Sequence, residues 1–112
     1  MDCIFCKIIN GEIPSKKVFE NEFVFAFYDI VPQAPFHILI VPKAHISSAT
    51  DINTLNSKAV ANVFEAAALI AKENSLTNGF RLVTNSGEDA CQSVPHIHFH
   101  MLAGRKLLAN MG

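Results

Sequence analysis

Apolar positions along the chain change period from one segment to the next, and each change marks an element. Cys3–Asn10 puts Ile4, Phe5, Ile8 and Ile9 on one side of a short helix that Gly11 stops. Lys17–Glu20 and Phe23–Tyr28 are β-rich around the turn-prone Asn21-Glu22, the pattern of a hairpin. Phe36–Val41 is an apolar run bracketed by Pro35 and Pro42, which predicts a buried strand. The long helix is predicted over Ser57–Asn74. There Val60, Val63, Phe64, Ala67 and Ile70 recur at helical spacing, leaving Lys58, Asn62, Glu65 and Lys72 outward. Beyond Thr77-Asn78-Gly79, Phe80–Asn85 reads as a strand, Ser86–Val94 as a polar loop and His96–Ala103 as the last strand. This order predicts an α+β fold: a largely antiparallel five-stranded sheet with one long and one short helix. Neither a βαβαβ alternation nor a Gly-rich fingerprint is present, so a doubly wound nucleotide fold is not expected.

Composition narrows the function. A chain of 112 residues, half of them hydrophobic, fills one core, so residues 1–112 are read as a single domain. Nine Lys plus Arg against ten Asp plus Glu leave no basic excess for a nucleic-acid backbone. No apolar run approaches the roughly 20 residues that span a bilayer, so neither nucleic acid nor membrane is an expected partner. Met1-Asp2-Cys3 opens neither a basic nor an apolar leader region. Three cysteines, an odd number, do not make a disulfide scaffold, and a reducing cytoplasm is the expectation.

The chemistry concentrates in His96-Ile97-His98-Phe99-His100-Met101-Leu102. On a strand, alternate residues share a face, so the histidines project one way and Ile97, Phe99 and Met101 the other. Successive histidine Cα atoms then lie roughly 6.6 Å apart. Three of five histidines within five residues point to an imidazole-lined pocket, suited to acid–base work, nucleophilic attack, metal ligation or anion binding. Cys3-x-x-Cys6 alone fits a redox pair, a metal ligand pair or neither.

The His-φ-His-φ-His-φ-φ run resembles the signature of the histidine triad superfamily. The resemblance extends to its Hint branch through Phe5-Cys6-Lys7-Ile8-Ile9, Gly11-Glu12-Ile13-Pro14, Asp29–Pro35, His37–Lys43 with His45-Ile46, Gly79–Val83 with Asn85, and Gln92-Ser93-Val94. It implies a fold of the histidine triad type and a homodimer. It also implies a purine nucleoside phosphoramidase that splits the α-phosphate P–N bond of AMP-like substrates through a nucleotidyl-histidine intermediate. An imidazole with an ordinary pKa near 6.5 is mostly neutral at pH 7 and is a competent nucleophile at phosphorus.

Carried over position by position, the nucleophile falls on His98. His100 and His37 would bind phosphoryl oxygens and relay protons, and Ser93 would sit beside the leaving group. Asn85, Gln92 and the backbone of the Ser86–Val94 loop would hold the α-phosphate. Cys91 lies in that loop where the branch usually has glycine, and Pro95 replaces a residue that is often aromatic. Asp29 matches the ribose-binding position; Phe5, Ile8, Phe27 and Ile30 match the apolar walls around the base. Part of the family holds a structural zinc, and the matching ligands are Cys3, Cys6, His45 and His96. That set needs the last strand to begin after His96, which Pro95 allows. No organic cofactor is expected. The tail 105–112 matches a segment that in Hint proteins reaches the partner subunit's site. Two other readings remain: a non-catalytic nucleotide sensor or scaffold, and a metallohydrolase using His98 and His100 as ligands.

Overall fold

Five antiparallel strands form one sheet in the computed structural model, which describes residues 3–112. Met1 and Asp2, part of the segment read as lacking a leader, lie outside the described residues. The elements are α1 (Ile4–Ile9), β1 (Lys17–Glu20), β2 (Val24–Tyr28), β3 (Phe36–Pro42), α2 (Ser57–Glu73), β4 (Arg81–Val83) and β5 (Phe99–Ala103). Across the sheet the order is β1-β2-β3-β5-β4. The predicted α+β class, strand number and pair of helices all agree with this.

Local chemistry sets the strand ends. The Asn21 carboxamide oxygen accepts from the backbone N–H groups of Phe23 and Val24, at 2.8 and 2.9 Å. That turn holds Phe23 outside β2, one residue later than predicted. The last strand begins at Phe99 and not at His96, because the chain bends at Pro95. The N–H of His96 donates back to Val94 (2.9 Å), and that of Ile97 donates to Ile46 (2.6 Å). Strand β4 is three residues long where six were predicted. Just past its end the Thr84 hydroxyl donates to the His98 carbonyl at 2.9 Å, putting a side chain where a ladder bond would be.

The pleat then divides the work between two faces. Val24, Ala26, Ile38, Ile40, Phe99 and Met101 pack on Ala59, Val63, Ala66, Ala67 and Ile70 of α2. The alanines let the helix sit close to the sheet. Phe64, predicted to face inward, is half exposed and reaches only the edge of the Phe99 ring, 5.8 Å between centroids. The buried stripe runs through Val63, Ala67 and Ile70, and residue 64 is turned about 100° from 63. On the other face, α1 covers Phe25, Phe27, Leu39 and Val41 with Phe5 and Ile8, and leaves the β5–β4 side open.

Candidate active site

Where that cover ends, the histidines begin. In the β3–β5 register His37 faces Leu102 and Leu39 faces His100, which puts His37 and His100 diagonally on one face. Their Nε2 and Nδ1 atoms are 2.9 Å apart. His98 precedes β5 by one residue, and its ring centroid lies 5.3 Å from that of His100. His37 and His98 are almost fully buried.

The partners of these rings fix their tautomers. His98 Nδ1 lies 2.8 Å from the His96 carbonyl oxygen. A carbonyl only accepts, so Nδ1 carries the proton and the Nε2 lone pair is free. The N–H of Gln33 donates to His37 Nδ1 at 3.0 Å. The proton of neutral His37 is therefore on Nε2, and it is donated to His100 Nδ1. His100 in turn keeps its proton on Nε2. Burial lowers the pKa of His37, partly offset by the Asp29 carboxylate. Burial also lowers that of His100, reinforced by His98 and His37 and opposed by Asp29. Both rings are neutral at pH 7.

A cleft of about 380 Å³ opens beside this row, within the range of small-ligand sites. Asp29, His37, Asn85 and His100 give it polar atoms, and Val31, Gln33, Val83 and Leu102 complete the lining. Asp29 Oδ1 accepts from the Val31 N–H at 2.8 Å. Its Oδ2 stands 3.4 Å from His37 Nε2 and 4.0 Å from His100 Nδ1. A larger cavity of about 560 Å³ lies at the end of α2 and is lined by none of the candidate residues. The chemistry therefore singles out the smaller cleft.

The remaining candidates, His98 among them, do not line it. Phe5, Ile8 and Phe27 are buried within the apolar cluster under α1, whereas Ile30 is 96% exposed. Ser93 and Cys91 are exposed on the 86–94 loop. Cys91 has φ +62°, the left-handed region that favours glycine. The carboxamide of Gln92 is fully engaged: Nε2 donates to Ser47, in the segment after β3 (2.7 Å), and to Val94 (2.9 Å), and Oε1 accepts from Gly87 (3.0 Å). Gln92 thus shapes the loop through its side chain. Two residues escaped the sequence reading. Thr84 braces the His98 carbonyl, and nothing in its surroundings marks it out. Gln33 orients His37, and a signal existed: Pro32 and Pro35 lack N–H groups, so the donors of that turn are Gln33 and Ala34.

His96 keeps the predicted alternation: Ile97, Phe99 and Met101 pack in the core with α2, and the rings of His96 and His98 both meet Phe5 on the other face. The bend at Pro95 turns it toward Cys3, Cys6 and His45. Its Nδ1 lies 3.3 Å from Cys3 Sγ, 3.6 Å from Cys6 Sγ and 3.1 Å from His45 Nδ1, while Cys6 Sγ to His45 Nδ1 is 3.4 Å. Tetrahedral zinc separates bound N from S by about 3.5 Å and N from N by about 3.4 Å. The donor set fits. His96 Nε2–H donates to the Pro42 carbonyl at 2.9 Å, which leaves Nδ1 as the ligand atom and orients it. Burial, then the hydrogen bond and charge of Cys3, pushes the Cys6 thiol up to about 11. A divalent cation reverses that bias by holding both sulfurs as thiolates. Asp29, His37 and His100 also converge, but His37 presents a protonated Nε2 there, so its ring is not disposed as a ligand.

The family model of the HIT domain matches residues 10–107. This chain belongs to the histidine triad family. Its fold superimposes on a histidine triad protein from Clostridium difficile with TM-score 0.95 and 49% identity, covering 99% of this chain and 97% of the other. It is 42% identical over 107 residues to a protein of Escherichia coli named purine nucleoside phosphoramidase, spanning 95% of this chain and 90% of that one. A 14 kDa zinc-binding protein of Brassica juncea is 43% identical over 108 residues, 95% and 96% of the two chains. Within the family this histidine triad protein falls on the Hint branch, being 43% identical over 106 residues to a protein of Arabidopsis thaliana named adenylylsulfatase HINT1, 93% of this chain and 72% of that one.

Proposed function

We propose that this protein hydrolyses the P–N bond joining a purine nucleoside monophosphate to an amine, with His98 as nucleophile. The observation that carries the reading is the Nδ1–H of His98 held on the His96 carbonyl, which frees Nε2 for phosphorus. Nε2 forms a bond to the α-phosphorus as the P–N bond breaks. The departing amine takes a proton from water in the cleft, which the Nε2–H of His100 orients while the Nε2–H of His37 holds His100 at Nδ1 over 2.9 Å. The hydroxide so formed cleaves the nucleotidyl-His98 bond, releasing the nucleoside monophosphate.

In this reading Asp29 accepts from the ribose hydroxyls, and Phe5, Ile8, Phe27 and Ile30 border the base. Asn85 and the 86–94 loop, with Cys91 and Gln92, bind the phosphate, and Ser93 lies toward the leaving group. Cys3, Cys6, His45 and His96 hold a structural zinc, which ties α1 to the segment leading into β5 and to the segment after β3. The homologous names support nucleotide chemistry and zinc, each for its own protein. We place the protein in the cytoplasm as a homodimer joined through the outer face of α2, where Phe64 and Leu69 are exposed. No described helix is long and apolar enough to cross a membrane.

The test is intact-mass spectrometry after brief mixing with an adenosine phosphoramidate. A nucleotidyl adduct on the wild type that His98→Ala abolishes is expected. Turnover unchanged in His98→Ala overturns the reading.

A further inference from the structure

We propose that the Cys3–Cys6–His45–His96 centre, when it holds its metal, positions the nucleophile: it fixes which ring nitrogen of His98 is free to react. This rests on the function proposed above and adds to the metal a role beyond tying elements together. Three features of the fold converge on it.

His96 is fully buried and held at four points. Its Nε2–H is on the Pro42 carbonyl, its Nδ1 faces the two sulfurs, its N–H is on Val94, and its own carbonyl takes the Nδ1–H of His98. The ring that offers a metal-ligating nitrogen and the carbonyl that sets the His98 tautomer therefore belong to one residue.

The second link runs through α1. A six-residue helix does not hold itself in place, so its position depends on what anchors it. Cys3 caps α1 and Cys6 lies in its first turn; Phe5, between them, sets its ring edge-to-face on both His96 (5.9 Å) and His98 (5.1 Å). A metal gripping both sulfurs thus also fixes the aromatic wall against the nucleophile.

Third, among the described residues the His98 ring has no hydrogen-bond partner other than the His96 carbonyl. If that carbonyl drifts, nothing else selects between the two tautomers. Outer partners that orient a reacting or ligating ring are typically worth 10–100-fold in activity.

The experiment compares zinc-loaded wild type, the same protein stripped by a chelator, the stripped protein with zinc restored, and Cys3→Ser/Cys6→Ser. Two readouts are taken: ¹⁵N–¹H correlation spectra of the histidine rings, and kcat and KM for an adenosine phosphoramidate. Expected are a single Nδ1–H tautomer of His98 with zinc, and mixed tautomers without it. About a 10–100-fold lower kcat at little-changed KM should accompany the mixture. Zinc should restore the wild type and not the double variant. An unchanged His98 tautomer in folded, metal-free protein overturns the proposal. So does global unfolding on stripping, because the metal then acts on the whole fold, and so does failure of the wild type to take up zinc. If no phosphoramidate is hydrolysed, the proposed function fails, and the spectra still decide the positioning role.

Discussion

The Nε2–H of His37 points at Nδ1 of His100 from 2.9 Å, and the Gln33 amide behind His37 gives that bond its direction. The pair is a hydrogen-bond chain whose polarity is set by a backbone group. It holds only while both rings are neutral, and burial lowers both pKa values.

Stability should therefore fall on the acid side. Below about pH 6.5 the unfolded chain protonates these imidazoles while the folded chain resists, so the unfolded state binds more protons. The contribution is complete above about pH 6.5 and is lost as pH falls toward the lower folded-state values. Thermal melts between about pH 7.5 and 5 should show it. His100→Asn should flatten the curve; an equally steep curve in that variant counts against the assignment.

Asp29 raises the pKa of both rings against the effect of burial. Asp29→Asn should shift the acid limb of the kcat/KM profile to lower pH. It should also raise KM through loss of the ribose acceptor. An acid limb that stays in place would show that Asp29 does not act on the two rings.

Gln92 makes two hydrogen bonds within its loop and a third that ties the loop to Ser47. Gln92→Ala should cost about 1–2 kcal/mol in denaturant unfolding. Amide exchange at Gly87 should speed up, and KM should rise more than kcat falls. Slow exchange at Gly87 in the variant would mean that the loop is held elsewhere.

Cys91 occupies a left-handed conformation on an exposed loop. Cys91→Gly should relieve that strain and stabilise the fold by about 0.5–1 kcal/mol, the gain being trimmed by the added freedom of the unfolded chain. Thermal denaturation checks it, and a lower Tm contradicts it.

Much of this was legible in the sequence because period and pleat are short-range. The apolar run of β3, the hairpin β1–β2 and the α2 stripe were all visible from spacing. So was the shared face of His98 and His100. His96 obeys the same rule, its ring and that of His98 both lying against Phe5, although the bend at Pro95 delays the start of β5 to Phe99. The gathering of Cys3, Cys6, His45 and His96 came from resemblance, since spacing does not bring residues 3 and 96 together. Thr84 acts through a single bond to a residue on another segment, which leaves no pattern along a chain, whereas the Gln33 donor was deducible from the prolines on either side of it.

Strand β5 alternates between two duties: Phe99, Met101 and Ala103 sit in the core, while His100 faces the cleft. Any redesign that repacks this ribbon to gain thermal tolerance will disturb the imidazole row by the same displacement. Room to alter substrate preference therefore lies off the ribbon, at Val31, Gln33 and Asn85, whose side chains line the cleft without propping up the helix-facing interior.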